Sequence, residues 1–62
     1  MWDFMFEVVG EDSELCGEQF FVECNNLHTA WEIATDTFFN EELDYLGKFS
    51  RTEAEEIGLD TY

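Results

Sequence analysis

The chain has no proline, four glycines, one histidine, two cysteines and only two basic side chains, Lys48 and Arg51. Each scarcity excludes something. Without proline or a Gly/Ser-rich tract there is no linker, so residues 1–62 read as one small acidic domain. Cys16 and Cys24 are too few for a disulfide framework and read as free thiols of a reducing cytoplasm. No leader-like segment and no apolar run of membrane-spanning length stands in the sequence, so a cytoplasmic protein without a membrane partner is expected. Two cations against sixteen carboxylates give a formal net charge of −14, which opposes direct binding of nucleic acid.

The same scarcity removes the enzymatic readings. A thiol nucleophile needs an electropositive setting, whereas Cys16 stands among Glu11, Asp12, Glu14 and Glu18. Carboxylates are so frequent that no pair stands out as an acid/base couple, and no glycine-rich phosphate loop is present. Neither an enzyme nor a cofactor is expected. Two metal patterns are approached and not met. With Asp12 at position one of a calcium loop, Glu14 falls at three, Cys16 at five, Gly17 at six and Glu23 at twelve. The glycine and final acid fit, but a cysteine is a poor ligand for a hard cation and the flanks read as strands rather than helices. Cys24 and His28 are four apart, but a structural zinc site needs further ligands in tighter pairs. No metal site is expected.

What the chain does have is aromatic mass and clean periodicity. Seven Phe, two Trp and two Tyr bring large apolar areas to a chain short enough to be marginally stable. Trp2, Phe4, Phe6 and Val8 alternate with Asp3, Met5, Glu7 and Val9, a strand period. Gly10 to Gly17 reads as the connection to a second strand that places Phe20, Val22 and Cys24 on one face and Gln19, Phe21 and Glu23 on the other. After the capping residues Asn25 and Asn26, a stripe of Leu27, Ala30, Trp31, Ala34 and Phe38 predicts a helix of roughly 13 residues. Asn40 to Asp44 reads as an acidic connection, Tyr45 to Phe49 as a short third strand, and Arg51 to Ile57 as a short helix opened by a Ser50/Glu53 capping box and stopped by Gly58. The expected fold is α+β: a small two-layer domain, hairpin on amphipathic helix, then strand and helix, ββαβα.

The acids are grouped. The hairpin loop holds Glu11, Asp12, Glu14 and Glu18; the helix–strand connection holds Glu41, Glu42 and Asp44; a third group is Glu53, Glu55, Glu56 and Asp60. Strand parity puts Asp3, Glu7 and Glu23 together on the face away from the aromatic core. A compact chain of this length has a radius of gyration of about 11 Å, hence a diameter of roughly 27 Å. Duplex DNA carries about one charge per 1.7 Å of axis, roughly 16 over that distance. The charge of the chain is comparable with that of the duplex it could replace. Carboxylates held on strands and helix ends would meet a basic cleft at low ordering cost, with long-range attraction speeding encounter.

In size, acidic excess, two-layer α/β pattern and the closing stretch EAEEIGLDTY, the chain resembles small acidic DNA-mimic proteins of bacteriophages and mobile elements, including anti-CRISPR inhibitors. The resemblance covers the chain in style and carries no diagnostic motif. It implies the cytoplasm of a bacterial host and a basic nucleic-acid-binding partner such as a CRISPR effector, met in its PAM-reading or heteroduplex channel. The residues expected to carry binding are Glu11, Asp12, Glu14 and Glu18, then Glu41, Glu42 and Asp44. The competing reading is an interaction module, a homodimer included, acting through an apolar sheet face of Met5, Val9 and Phe21. That face would be closed if the C-terminal residues Ile57, Leu59 and Tyr62 folded over it.

Overall fold

A computed structural model describes residues 1–62. Its elements are β1 (Trp2–Val8), β2 (Gln19–Cys24), α1 (Leu27–Thr37), β3 (Leu43–Phe49) and α2 (Arg51–Ile57), an α+β chain in the expected ββαβα order. The sheet is antiparallel with strand order β2-β1-β3. Its central strand is buried on both faces, which is why β1 carries Met5 as well as Phe4, Phe6 and Val8. On one face Phe4, Phe6, Val8, Phe20, Val22 and Cys24 pack beneath Ala30 and Ala34 of α1. Two alanines at that seam bring the helix close to the sheet, while Trp31 meets Phe6 edge-on at 4.9 Å between centroids. Full burial of Phe6 contributes about 2–3 kcal/mol.

Helix α1 is capped by Asn26, whose side chain accepts from the Thr29 N–H at 2.8 Å. It ends at Thr37, two residues short of the expected length, because Phe38 leaves helical geometry to pack on Phe20 at 4.5 Å. Helix α2 has the expected bounds and capping box: Glu53 N–H donates to Ser50 Oγ at 3.2 Å, and Ser50 N–H donates to Glu53 Oε1 at 3.2 Å. It lies on the opposite face, where Ala54 covers Met5 and Phe21. The hairpin therefore carries a helix on each side. The apolar face of the competing reading is largely closed, by Ala54, Phe49 and Leu59 rather than by Ile57 and Tyr62; Val9 and Ile57 remain exposed.

Strand β3 begins at Leu43, so Asp44 belongs to the sheet and not to the connection. Tyr45 and Phe49 are four apart, and a regular strand would point both to the same face. A bulge changes the parity: Phe6 pairs with Tyr45 but Met5 pairs with Gly47, leaving Leu46 as the extra residue. Tyr45 then packs on Phe4 and Phe6 beneath α1, whereas Phe49 meets Phe21 beneath α2. Gly47 takes φ +151°, which a side chain would resist. Beyond α2 the chain returns along β2: Phe21 N–H donates to Asp60 O at 2.8 Å and Tyr62 N–H to Phe21 O at 2.8 Å. This parallel segment covers the outer edge of β2 and carries Tyr62 over to Phe20 and Phe38. The radius of gyration is 11.0 Å and the longest extent 33 Å. No helix is long and apolar enough to cross a membrane.

Candidate functional site

Antiparallel register sets two acid pairs on the α2 side of the sheet, at opposite ends of β1. Asp3 lies opposite Glu23, and Glu7 lies opposite Asp44. Like charges directly opposite each other destabilise a sheet unless something intervenes. At the first pair Arg51, from the opening turn of α2, donates to Asp3 Oδ1 at 3.0 Å and to Glu23 Oε2. Asp3 is only 1% exposed, and burial is the main force pushing its carboxyl above the usual 3.8. Arg51 pulls against that rise, while Glu23 and Glu55 add to it. The hydrogen bond to Glu23 in turn raises the Arg51 guanidinium. Strand parity places Asp3 and Glu23 on one face as expected, but Asp3 is not displayed: it is buried and paired with Arg51, which stays partly exposed.

The other end has no cation. Both basic residues lie away from it, Arg51 on Asp3 and Lys48 over the Trp2 ring at 4.4 Å. Glu7 receives one hydrogen bond, from Gln19 Nε2 at 2.9 Å, and Asp44 stands beside it. Past this pair come the hairpin loop and the connection leaving α1. They are tied together at the base by Val9 N–H donating to Glu42 O at 2.9 Å. Between them opens a cleft of about 260 Å³ lined by Glu11, Asp12, Glu41 and Glu42 with Gly10, Ser13 and Asn40, and by no apolar side chain. Two acidic groups that are about 30 residues apart in sequence thus share one wall. The last turn of α1, which has no basic residue, ends at Thr37 beside the adjoining groove.

The loop is held by its own backbone. Ser13 N–H donates to Gly10 O at 3.1 Å, Cys16 N–H to Ser13 O at 3.2 Å and Glu18 N–H to Leu15 O at 2.8 Å. Gly17, at φ +94°, closes the hairpin by donating to Val8 O at 2.8 Å. Of the residues expected to bind, the cleft unites Glu11, Asp12, Glu41 and Glu42. Glu14 is exposed elsewhere on the loop, and Glu18 lines a separate hollow beside Tyr62. Asp44 sits on the sheet opposite Glu7, a residue whose membership of this end follows only from the β1–β3 register. Glu7, Glu11, Asp12, Glu14, Glu18, Glu41, Glu42 and Asp44 together put half of the sixteen carboxylates at the pole without a cation.

No three His, Cys, Asp or Glu side chains converge to hold a metal ion. Glu23, the twelfth position of the calcium pattern, is in β2 and occupied by Arg51. Cys24 is buried with its thiol donating to Asn26 O at 3.2 Å, and His28 turns outward to Glu32 at 2.7 Å. The fold and pole define a small α+β domain with a three-stranded antiparallel sheet between two helices and an end whose acids have no cation among them. No protein-family model, curated protein or solved structure matches the chain.

Proposed function

We propose that the protein binds and blocks a basic nucleic-acid-binding protein by presenting its acidic pole in place of a phosphate backbone, as a phage-encoded inhibitor of the anti-CRISPR type would. The observation that supports this most directly is the segregation of charge: the carboxylates of the loop end stand without a cation on a backbone fixed by hydrogen bonds. Fixed charges lose little freedom on binding, and a potential of one sign steers a basic partner from a distance. A duplex of the molecule's 33 Å length carries roughly 19 charges; the whole chain carries −14, and eight of its sixteen acids lie at the pole. A module acting through Met5 and Phe21 would first have to displace α2, which disfavours the competing reading.

The test is capture from a bacterial lysate on the immobilised protein, eluted first with short duplex DNA and then with high salt. Release of a nucleic-acid-binding protein by the duplex supports the reading. Capture that resists both DNA and salt overturns it. With that partner in hand, the triple reversal Glu11→Lys, Asp12→Lys, Glu14→Lys is expected to weaken binding and flatten its salt dependence. Unchanged affinity at low salt would remove the loop from the interface.

A further inference from the structure

The molecule's three hollows all open around the hairpin loop, and each shares lining residues with the next. The acidic cleft adjoins a groove of about 210 Å³ walled by Leu15, Phe38 and Phe39, with Asn40 and Glu41 common to both. That groove adjoins a third hollow, of about 130 Å³, through Leu15 and Phe38. Its wall is rigid where Phe38 stacks on Phe20 and meets Tyr62 edge-on at 5.6 Å. Phe39 contributes nothing of this kind to the core: it is 78% exposed, beside a Leu15 that is 39% exposed. Two large apolar side chains thus border the acidic cleft, Phe39 almost fully exposed and Leu15 partly so.

We propose that this groove docks an extended basic segment of the partner. One Arg or Lys would enter the acidic cleft, and an adjacent apolar side chain would lie between Leu15 and Phe39. The inference rests on the function proposed above and specifies its partner: a flexible basic arm or loop, rather than a rigid basic surface that meets charge alone. Charge selects this occupant. The apolar groove is continuous with a cleft lined by four carboxylates, so a cationic peptide gains on both parts of the track. A second copy of the chain would bring its own −14 against the same rim. The apolar contact supplies what charge cannot, an anchor that survives screening by salt.

Two blocked peptides of equal charge test this, Gly-Arg-Leu-Arg-Leu-Arg-Gly and its counterpart with serine for each leucine. Both are titrated into the ¹⁵N-labelled full chain at low and high salt. The leucine peptide is expected to bind about tenfold more tightly, the effect of partly burying one leucine. It should shift the amides of Leu15, Phe39, Asn40 and Glu41, and keep more of its affinity as salt rises. Phe39→Ser, at an exposed position, should bring the ratio close to one. Equal affinities, a ratio indifferent to Phe39→Ser, or no binding of either peptide would overturn the groove. Release by duplex in the capture experiment would still stand in those cases, because charge mimicry does not require the groove. Leucine-dependent binding combined with capture that DNA does not release would instead keep the groove and overturn the mimicry.

Discussion

The two acid pairs of the sheet began as the same problem and were treated in opposite ways. Asp3/Glu23 and Glu7/Asp44 lie on one face, in adjacent strands, each a like-charge pair at an end of β1. At the first, Arg51 of α2 bridges both carboxylates, the buried Asp3 and the exposed Glu23. At the second, a single amide from Gln19 reaches Glu7, and the acidic loop and connection are added beyond it. The first pair joins α2 to β1 and β2. The second does nothing for the fold that neutral residues would not do better. The carboxylates left without a counter-ion are the ones on which the proposed function draws.

The contrast can be broken from either end. The largest effect is expected from Arg51→Met, which strands the buried Asp3 without its cation. Thermal melts should show the steepest loss in this series at neutral pH, and the loss should shrink on acidification as Asp3 takes up its proton. The sign also follows in the parent chain. With the Asp3 carboxyl held above 3.8 in the fold, the folded state binds this proton before the unfolded chain does. Its contribution to stability therefore grows as pH falls from the folded value toward 3.8, and is constant below. Relief of repulsion among the other carboxylates acts in the same direction. The melting temperature should accordingly rise as pH is lowered from 7 toward 3.8; a steady fall would contradict the raised Asp3 carboxyl.

Next in size is Gly47→Val, which forces a side chain into a backbone conformation it resists. A loss of about 1–3 kcal/mol in urea unfolding is expected, together with weakened packing of Phe49 on Phe21. Glu7→Lys would give the open pair the cation that the other pair already has. It should stabilise by about 0.5–1 kcal/mol while weakening capture of the basic partner. Gain of stability with undiminished capture would place Glu7 outside the interface. The smallest effect on folding is expected from the triple reversal in the loop, within about 0.5 kcal/mol of the parent because those side chains are exposed. Stability and binding should thus respond oppositely along the series, with Arg51 at one limit and the loop at the other.

Local patterns disclosed most of the elements. Alternation from Trp2 and from Gln19, the Ala30/Ala34 stripe and the Ser50/Glu53 box each depend on residues within a few positions of one another. What they could not disclose was pairing across the chain. The bulge at Leu46 and Gly47 exists so that Tyr45 and Phe49 can serve opposite faces, which makes sense only once there is a helix on each. The same limit applied to the site. Glu11, Asp12, Glu41 and Glu42 were visible as two acidic groups, but their common cleft depends on where α1 returns the chain. Asp3 looked like one more displayed acid, because nothing near it in sequence announces Arg51.

The reach of Arg51 also gives the fold a direction in time. Asp3 and Arg51 are 48 positions apart. At about 5–20 residues per second, a ribosome makes the acid roughly 2–10 s before the base. During that interval the β1–β2 hairpin can form, while the helix that packs on its Asp3 side, α2, begins with Arg51 itself. Counter-ion and covering helix thus arrive in one segment, so Asp3 is not covered by α2 without its cation at hand. Refolding of Arg51→Met should be slowed as well as weakened if α2 packs on the sheet in the rate-limiting step, and only unfolding should accelerate if it packs afterwards.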